Sequence, residues 1–191
     1  PAGCSFVDGA LALGDRLVVP CKIYDESNDG DGGRISVAAT SDLESWTVTP
    51  VSENGQWFGA LVGAGPDGTV VVQALEAGDP NTTLGSTMRI WSSRDLVTWT
   101  PIDGETPTTL LDGQASAVRS FDDRIVVTGT FNDHADQADP EAPASMRPAI
   151  WVSTDGAPFV RTLLRSADVT TGPSAAVMDL VSTGSGYVAV G

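Results

Sequence analysis

The stretch Ser93-Arg94-Asp95-Leu96-Val97-Thr98-Trp99 recurs in altered form twice more in this chain of 191 residues. The copies are Thr40-Ser41-Asp42-Leu43-Glu44-Ser45-Trp46 and Ser153-Thr154-Asp155-Gly156-Ala157-Pro158-Phe159. Each has a Ser or Thr, an Asp two positions later, a Leu or Gly directly after the Asp, and a Trp or Phe four positions after it. We call these stretches the first, second and third box in chain order. Their aspartates are 53 and then 60 residues apart, a period close to the length of one four-stranded propeller blade, so the spacing predicts stacked repeats of one supersecondary unit.

Around each box, alternating apolar residues and turn dipeptides predict the same order of strands. A strand pair comes first, then a polar loop, then a third strand that runs into the box and a fourth strand that leaves it. The predicted strands are Gly9–Leu13, Arg16–Cys21, Arg34–Ala39 and Ser45–Val51 in the first unit, Gly59–Ala64, Thr69–Leu75, Met88–Ser92 and Val97–Ile102 in the second, and Ala117–Phe121, Arg124–Thr130, Ala149–Ser153 and Pro158–Leu164 in the third. Two further strands, Ala175–Ser182 and Tyr187–Gly191, begin a fourth unit.

These units predict an all-β fold, a β-propeller of four-stranded antiparallel blades with about three and a half blades in this chain. Their predicted bounds are residues 4–51, 56–103, 114–164 and, for the half unit, 175–191. A propeller ring usually has about four to eight blades, and an unclosed end exposes an apolar strand edge. We therefore expect the remaining blades to come from the same polypeptide or from another chain.

The charge balance excludes some partners. The chain has 25 Asp and Glu residues against 10 Lys and Arg residues, for a formal net charge of -15. Phosphate binding needs a basic surface, so nucleic acid is not expected as a partner.

No apolar run approaches the roughly 20 residues that span a bilayer, and residues 1–4 do not form an intact signal peptide. The acidity suits a protein that stays soluble outside a cell or in high salt, but a compositional bias that prefers Arg to Lys is the simpler explanation. The expectation of a secreted or cell-surface protein rests on the two cysteines of the chain.

The chain has two cysteines, Cys4 and Cys21, without the paired spacing of zinc sites. One disulfide between them is the economical interpretation, and it would indicate an oxidising compartment. A hairpin that turns at Gly14 and Asp15 sets Cys21 opposite roughly residue 8, too far from Cys4 for a bridge between straight strands. The segment before the first strand is therefore expected to fold back over the strand end.

The loop after the second predicted strand of the first unit resembles the opening of a calcium loop, with oxygen side chains at alternate positions and a glycine at the turn. The residues that would bind Ca²⁺ are Asp25, Ser27, Asp29 and Asp31. Ser36 stands where the closing bidentate Glu of such a loop would be. Two interpretations stay open, a Ca²⁺ site and a flexible, solvated polar loop.

The composition of the boxes indicates a structural role. The carboxylate can accept backbone N–H bonds inside the turn, the Ser or Thr hydroxyl can support them, and the aromatic side chain can pack between blades. We expect this role for all three sets of residues, and we do not expect the aspartates to be catalytic. The sets are Thr40, Asp42 and Trp46, then Ser93, Asp95 and Trp99, then Ser153, Asp155 and Phe159.

The boxes resemble the Asp-box, or BNR, repeats of sialidase-like β-propellers, although the usual box has its Trp five residues after the Asp and a Gly two residues after it. The shorter form, as in residues 93–99, also resembles the Ser-x-Asp-Leu-x-x-Trp phrases of five-bladed glycoside hydrolases. The last six residues, 186–191, are similar to the inner strand pair of exported bacterial propellers. The resemblance spans nearly the whole chain as a repeat pattern.

The resemblance implies two kinds of active site. Sialidases of this type use an arginine triad, a Tyr and Glu pair and an acid/base Asp, and no positions of this chain match those roles. Five-bladed glycosidases need two or three inward-pointing carboxylates that flank a glycosidic bond. The candidates here are Asp8, at the entry to the first inner strand, and Asp179, inside the fourth, with solvated or capping carboxylates as the alternative.

Three functions follow from the sequence. The first is an exported, non-catalytic propeller that binds a glycan, a metal or a protein on its acidic loop face. We define this face by the three loops between second and third strands, which contain residues 24–33, residues 76–79, and Asp133, Asp136, Asp139 and Glu141. The second is a glycoside hydrolase with part of its active site in blades outside this chain. The third is an assembly protein whose open strand edge is completed by another chain.

Overall fold

The computed structural model describes residues 3–6, 9–24, 32–65, 67–77, 86–102, 110, 112–121, 123–133, 145–164, 177–182 and 187–190. Over these residues the chain is all-β and forms four antiparallel sheets with no helix. Within this described part, no helix is long and apolar enough to cross a membrane. The architecture is that of a β-propeller with four-stranded blades, as the sequence predicts.

The first three sheets each have the strand order of a propeller blade, innermost strand first. The first sheet has β1 (Cys4–Phe6), β2 (Leu11–Leu13), β3 (Arg16–Tyr24), β4 (Gly33–Thr40) and β5 (Thr47–Pro50). The second has β6 (Trp57–Ala64), β7 (Val70–Glu76), β8 (Thr87–Ser93) and β9 (Thr100–Pro101), and the third has β10 (Gly113–Phe121), β11 (Arg124–Asp133), β12 (Ser145–Thr154) and β13 (Val160–Leu163). The fourth is a two-stranded sheet of β14 (Asp179–Ser182) and β15 (Tyr187–Val190).

The first sheet corrects one sequence-based expectation. Cys4–Phe6 is a strand, β1, that pairs with the far end of β3, whereas the sequence predicted only a segment folding back over the strand end. Phe6 lies opposite Cys21 and Leu11 lies opposite Val18, so the innermost position of this blade carries two extra residues between β1 and β2. These extra residues shift the register from the expected pairing of Cys21 with residue 8.

The predicted disulfide between Cys4 and Cys21 is confirmed, with a Cα–Cα distance of 5.7 Å. Cys21 is fully buried, and the bond fixes β1 onto β3. Closing a loop of this size stabilises a folded chain by about 3 kcal/mol, mainly by restricting the unfolded state. The disulfide therefore anchors the short first strand, which has only three residues of its own.

The apolar core lies between the sheets. Side chains alternate along a strand, so β7 sends Val70, Val72 and Ala74 toward the first sheet and Val71 toward the third. One cluster joins the first and second sheets, and a second cluster, around the fully buried Trp151, joins the second and third. Each sheet is therefore stabilised mainly by its neighbours.

The innermost strands of the second and third sheets approach so closely that only glycine fits. A Cβ atom on Gly63 would lie 1.9 Å from the backbone oxygen of Val118, and one on Gly65 would lie 2.7 Å from the hydroxyl of Ser120. Backbone cannot yield as a flexible side chain can, so these two positions set the spacing of β6 and β10 next to the propeller axis.

We predict that Gly63→Ala destabilises the fold by about 3 kcal/mol or more, because the added methyl forces β6 and β10 apart. Gly68→Ala, in the β6–β7 turn, is the matched control. Nothing lies within 4 Å of its Cβ position and its φ is +80°, so we expect only the conformational cost of about 1 kcal/mol. Chemical denaturation measures both, and equal losses would refute the close approach.

The second box packs against the first sheet, but the first box has no such cover. Leu96 is 7% exposed and belongs to the cluster between the first and second sheets, whereas Leu43 is 67% exposed although it occupies the same place in its box. Because Leu96 of the second box points toward the preceding sheet, Leu43, at the same place in the first box, points away from the second sheet. This side of the first sheet has the character of a surface that a further blade would cover.

We predict that Leu96→Ala costs about 2–3 kcal/mol of unfolding free energy in this chain and that Leu43→Ala costs less than about 0.5 kcal/mol. The reason is that the first side chain fills a packed interface and the second lies mainly in solvent. Denaturant titrations of both variants test this pair. A loss at Leu43 as large as that at Leu96 would show that another blade or chain covers the first sheet.

Candidate functional site

The first box is a turn held by its own side chains. The Asp42 carboxylate accepts the backbone N–H groups of Ser45 at 2.7 Å and Glu44 at 2.9 Å. The Thr40 hydroxyl donates to the same carboxylate at 2.9 Å and accepts the N–H groups of Asp42 and Leu43. These bonds to the ionised form lower the pKa of Asp42 to about 2, with the Ser45 and Glu44 backbone contributing most.

The second box repeats this network residue for residue. Asp95 accepts the N–H groups of Thr98 at 2.7 Å and Val97 at 2.8 Å, and the Ser93 hydroxyl donates to it at 3.0 Å. Its pKa is lowered to about 2 for the same reasons, with the Thr98 backbone contributing most. Leu96, like Leu43 of the first box, has a positive φ, 63° against 64°. In both boxes the carboxylate is committed to the turn.

The third box turns in a different way. Asp155 and Gly156 have φ values of 52° and 72°, and the Ala157 N–H donates to the Thr154 carbonyl at 2.9 Å. Positive φ at both central residues makes this a two-residue type I′ turn, the form that Asp-Gly favours. The Ser153 hydroxyl donates to the Ala157 carbonyl instead of to a carboxylate. The box aspartate marks the difference, since Asp155 has a positive φ and Asp42 and Asp95 do not.

The aromatic residues of the second and third boxes pack between sheets. Trp99 lies against the cluster shared by the first and second sheets, and Phe159 is buried in the cluster shared by the second and third. Trp46, in the first box, is half-buried. None of these contacts resembles a catalytic arrangement, and the geometry of the boxes is that of turns and packing.

A different site lies where the innermost strands of all four sheets meet. An open pocket of about 270 Å³ lies there, which we call the axial cavity. It is lined by one or more residues from each innermost strand or its approach, namely Gly9, Ala10, Leu61, Val62, Ser116, Ala117, Val118, Arg119, Met178 and Asp179. Asp179, one of the two carboxylates predicted as catalytic, therefore lies at the propeller axis.

In the axial cavity Asp179 forms an ion pair across the sheets. Nη2 of Arg119, on β10, lies 2.9 Å from Oδ1 of Asp179, on β14, and Nη1 of Arg119 donates to the Val118 carbonyl at 2.9 Å. The two side chains are 34% and 42% exposed. An ion pair this exposed stabilises a fold by only about 0–1 kcal/mol, so it contributes little to folding.

Arg119 is the residue that sequence reasoning missed. It belongs to no box and to no repeated phrase, so the sequence carries no sign that it meets Asp179, which is 60 residues away. Asp8, the other predicted carboxylate, lies outside the described residues and directly precedes Gly9, which lines the axial cavity.

The predicted calcium residues Asp25, Ser27, Asp29 and Asp31 also lie outside the described residues. Within the described ranges, no three His, Cys, Asp or Glu side chains are grouped so that they could hold a metal ion. Ca²⁺ binding therefore stays a prediction from the sequence.

Comparisons with known proteins identify the fold. No family model matches the chain, and no curated protein matches it. Among solved structures, it is similar to a GH32 β-fructofuranosidase of Bombyx mori, with 14% identity and a TM-score of 0.53 over 85% of this chain and 35% of that one. It is also similar to an α-L-arabinanase of Penicillium chrysogenum, with 15% identity and a TM-score of 0.52 over 81% of this chain and 46% of that one.

Both neighbours are glycoside hydrolases, and at this identity the likeness shows the β-propeller fold alone. It agrees with the sequence resemblance to glycoside hydrolase propellers. The resemblance to sialidase-like Asp-box propellers stays a sequence-based expectation. This chain spans less than half the length of either neighbour.

The lowered pKa values of Asp42 and Asp95 predict an acid-sensitive component of stability. Because the folded pKa is about 2 and the ordinary value is 3.8, the ionised carboxylates stabilise the fold fully above about pH 4, and this contribution is lost as pH falls toward 2. A variant with Asp42→Asn and Asp95→Asn keeps one acceptor oxygen in each turn but has no charge there to lose. We expect its thermal unfolding midpoint to fall less between pH 4 and pH 2 than that of the parent chain.

Circular dichroism across this pH range measures both midpoints. High salt serves as a control, since bonds at 2.7–2.9 Å are screened far less than distant charges, so the difference is expected to persist in 1 M NaCl. Identical slopes for variant and parent would contradict a role for the box carboxylates in stability.

Proposed function

We propose that this chain forms part of a glycan-binding β-propeller of the glycoside hydrolase type, in which a sugar ring binds in the axial cavity against Arg119 and Asp179. The observation that carries the proposal is the ion pair between these residues, 2.9 Å long and partly exposed, in an open pocket that residues from the innermost strands of all four sheets or their approaches line. The fold gains little from the pair, which favours a ligand as the reason for it.

The chemistry of the pair suits a sugar. A guanidinium presents several N–H donors in a fixed plane, and a carboxylate accepts through two oxygens, so together they offer donors and acceptors to neighbouring hydroxyl groups. Bonds to charged groups are the stronger kind of hydrogen bond. The cavity, at about 270 Å³, lies near the lower end of ligand pockets, about 300 Å³, which favours a single sugar ring over a long chain.

The negative net charge of the protein restricts which class of saccharide it can bind. With a formal net charge of -15, the chain repels polyanions, and Arg119 is already paired with Asp179. A neutral saccharide is therefore a better ligand than a phosphorylated or polyanionic one. The glycoside hydrolase neighbours support the same ligand class, since one is a fructofuranosidase and the other an arabinanase that holds arabinobiose.

Glycoside hydrolysis is the second candidate, favoured by the carboxylate at the axis. Cleavage needs two carboxyl groups about 5–9.5 Å apart, one of them acting as acid. Asp179 would be one, and Asp8, the residue before Gly9, is the sequence-based candidate for the second. Because the chain spans 35% and 46% of its two neighbours, a carboxylate from further blades, whether of the same polypeptide or of another chain, is an equally good source.

The setting of this function follows from the sequence and the disulfide. The bond between Cys4 and Cys21 favours an oxidising compartment and so a secreted or cell-surface protein. The box repeats support a sialidase-like, Asp-box assignment, in which a Ca²⁺ ion at residues 25–31 would be a structural addition. Protein binding on the acidic loops and assembly with another chain are alternative proposals beside saccharide binding.

We expect Asp179→Asn and Arg119→Gln each to weaken saccharide binding about tenfold, the loss expected for one hydrogen bond to a charged group. Titration calorimetry or ligand-observed NMR with arabinobiose, xylobiose, sucrose and cellotriose measures the affinity. The control is Arg94→Gln, which removes an exposed arginine from the pair with Asp67 at the β6–β7 turn and leaves the axis unchanged. Unchanged binding by Asp179→Asn would refute the axial site.

A panel of fluorogenic glycosides separates binding from hydrolysis. Turnover that is lost by more than about a hundredfold in both Asp8→Asn and Asp179→Asn would establish a hydrolase with both carboxylates in this chain. Saccharide binding without hydrolysis by the full polypeptide would indicate a lectin-like propeller.

A further inference from the structure

A second cavity lies between the first and second sheets, away from the axis. It has a volume of about 440 Å³, larger than the axial cavity, and we call it the interblade groove. Its chemistry comes mainly from six residues of the second sheet and the segment leading into β9, namely Trp57, Glu76, Arg89, Trp91, Trp99 and Pro101.

The strand register brings these side chains to one face. Trp57 lies opposite Glu76 across β6 and β7, and Trp91 lies opposite Pro101 across β8 and β9. Arg89 is two residues before Trp91 on β8, so both point to the same side of the sheet. That side is the one that packs against the first sheet, because Trp57 and Trp91 belong to the cluster the two sheets share.

The far wall of the groove is held in place by hydrogen bonds. Ser52 receives the Ile35 N–H on its hydroxyl at 2.8 Å and donates its own N–H to the Ile35 carbonyl at 3.1 Å. Gly33 and Gly55 exchange two backbone bonds of 3.0 and 2.7 Å just beyond. The rings of Trp57 and Trp91 meet edge to face with centroids 5.5 Å apart. A groove with such fixed walls loses little entropy when a ligand enters.

A charged pair lies among these rings. Nε of Arg89 is 2.7 Å from Oε2 of Glu76, and the side chains are 31% and 34% exposed. Such a pair contributes little to stability, yet it sets a planar donor and an acceptor beside apolar ring surface. Ligand sites combine these features, an apolar lining with a few polar groups that fix orientation.

We propose that the interblade groove is a second saccharide-binding site, in which a sugar places its C–H face on the half-buried Trp99 and the exposed Pro101 and its hydroxyl groups on Glu76 and Arg89. The rings of Trp57 and Trp91, which are 7% and 8% exposed, form the floor beneath it. The ligand class rests on the proposed function, but the site itself does not depend on the axial cavity. Arg89 is neutralised by Glu76 and the exposed Glu53 lines the same groove, so an anionic ligand would be repelled. A neutral saccharide satisfies both the rings and the charged pair.

The test is an NMR titration that observes the indole N–H signals of the five tryptophans in ¹⁵N-labelled protein. Signals are assigned from Trp→Phe variants, and the ligands are arabinobiose, xylobiose, sucrose and cellotriose at up to about 50 mM, which saturates any site with a millimolar Kd. We expect shifts at Trp57, Trp91 and Trp99. Trp151, buried between the second and third sheets, and Trp46, in the first box, are internal controls that stay unchanged.

Variants separate this groove from the axial cavity. Glu76→Gln and Arg89→Gln should each raise the Kd read from these shifts about tenfold, whereas Asp179→Asn and the control Arg94→Gln should leave it unchanged. No shift at the three groove tryptophans with any ligand would overturn the proposal. So would shifts that vanish in Asp179→Asn, which would leave the axial site alone, or an equal loss in Arg94→Gln, which would indicate a general charge effect. If Asp179→Asn leaves binding at the axial cavity unchanged while the groove tryptophans still shift, only the axial site is refuted.

Discussion

The packing of sheet against sheet is the constraint on which the rest of this structure depends. A four-stranded sheet with apolar side chains on both faces cannot exist alone in water, and β7 shows the need most clearly, with Val70 and Val72 buried on one side and Val71 on the other. The sheets therefore stack around an axis. Gly63 and Gly65 let the innermost strands of the second and third sheets touch, which fixes how close to that axis the blades come.

Stacking of this kind leaves two kinds of space, and charged residues stand in both. Near the axis the innermost strands line a small open pocket with the pair of Arg119 and Asp179. Further out, where neighbouring sheets diverge, a larger groove holds the pair of Glu76 and Arg89 beside tryptophan rings. Neither pair is buried enough to matter much for folding. Each of these two arginines is paired with a carboxylate, so each cavity offers hydrogen-bond donors and acceptors side by side.

The boxes show how one sequence pattern can give different turns. In the first two, a carboxylate and a hydroxyl hold the turn and a leucine takes a positive φ. In the third, a backbone bond closes the Asp-Gly turn and the Ser153 hydroxyl donates to a backbone carbonyl. The turns keep the outer strand pair of each blade together. Their leucines then meet different surroundings, since Leu96 is buried against the first sheet and Leu43 is exposed.

The sequence by itself determined the repeat, the strand order within each blade, the positions of the boxes and the pairing of the two cysteines. The strands and boxes are local features, because alternation and turn residues act within a few residues along the chain. The repeat is visible in their spacing, and the cysteine pairing follows from there being two cysteines. It did not determine the strand at Cys4–Phe6, whose pairing depends on two extra residues accommodated before β2. Only the tertiary structure decided that Arg119 meets Asp179, that Glu76 and Arg89 share a groove with three tryptophans, and that equivalent leucines differ in burial. These outcomes depend on which surfaces the stacking of sheets brings together, and that information lies in contacts between residues far apart in the chain.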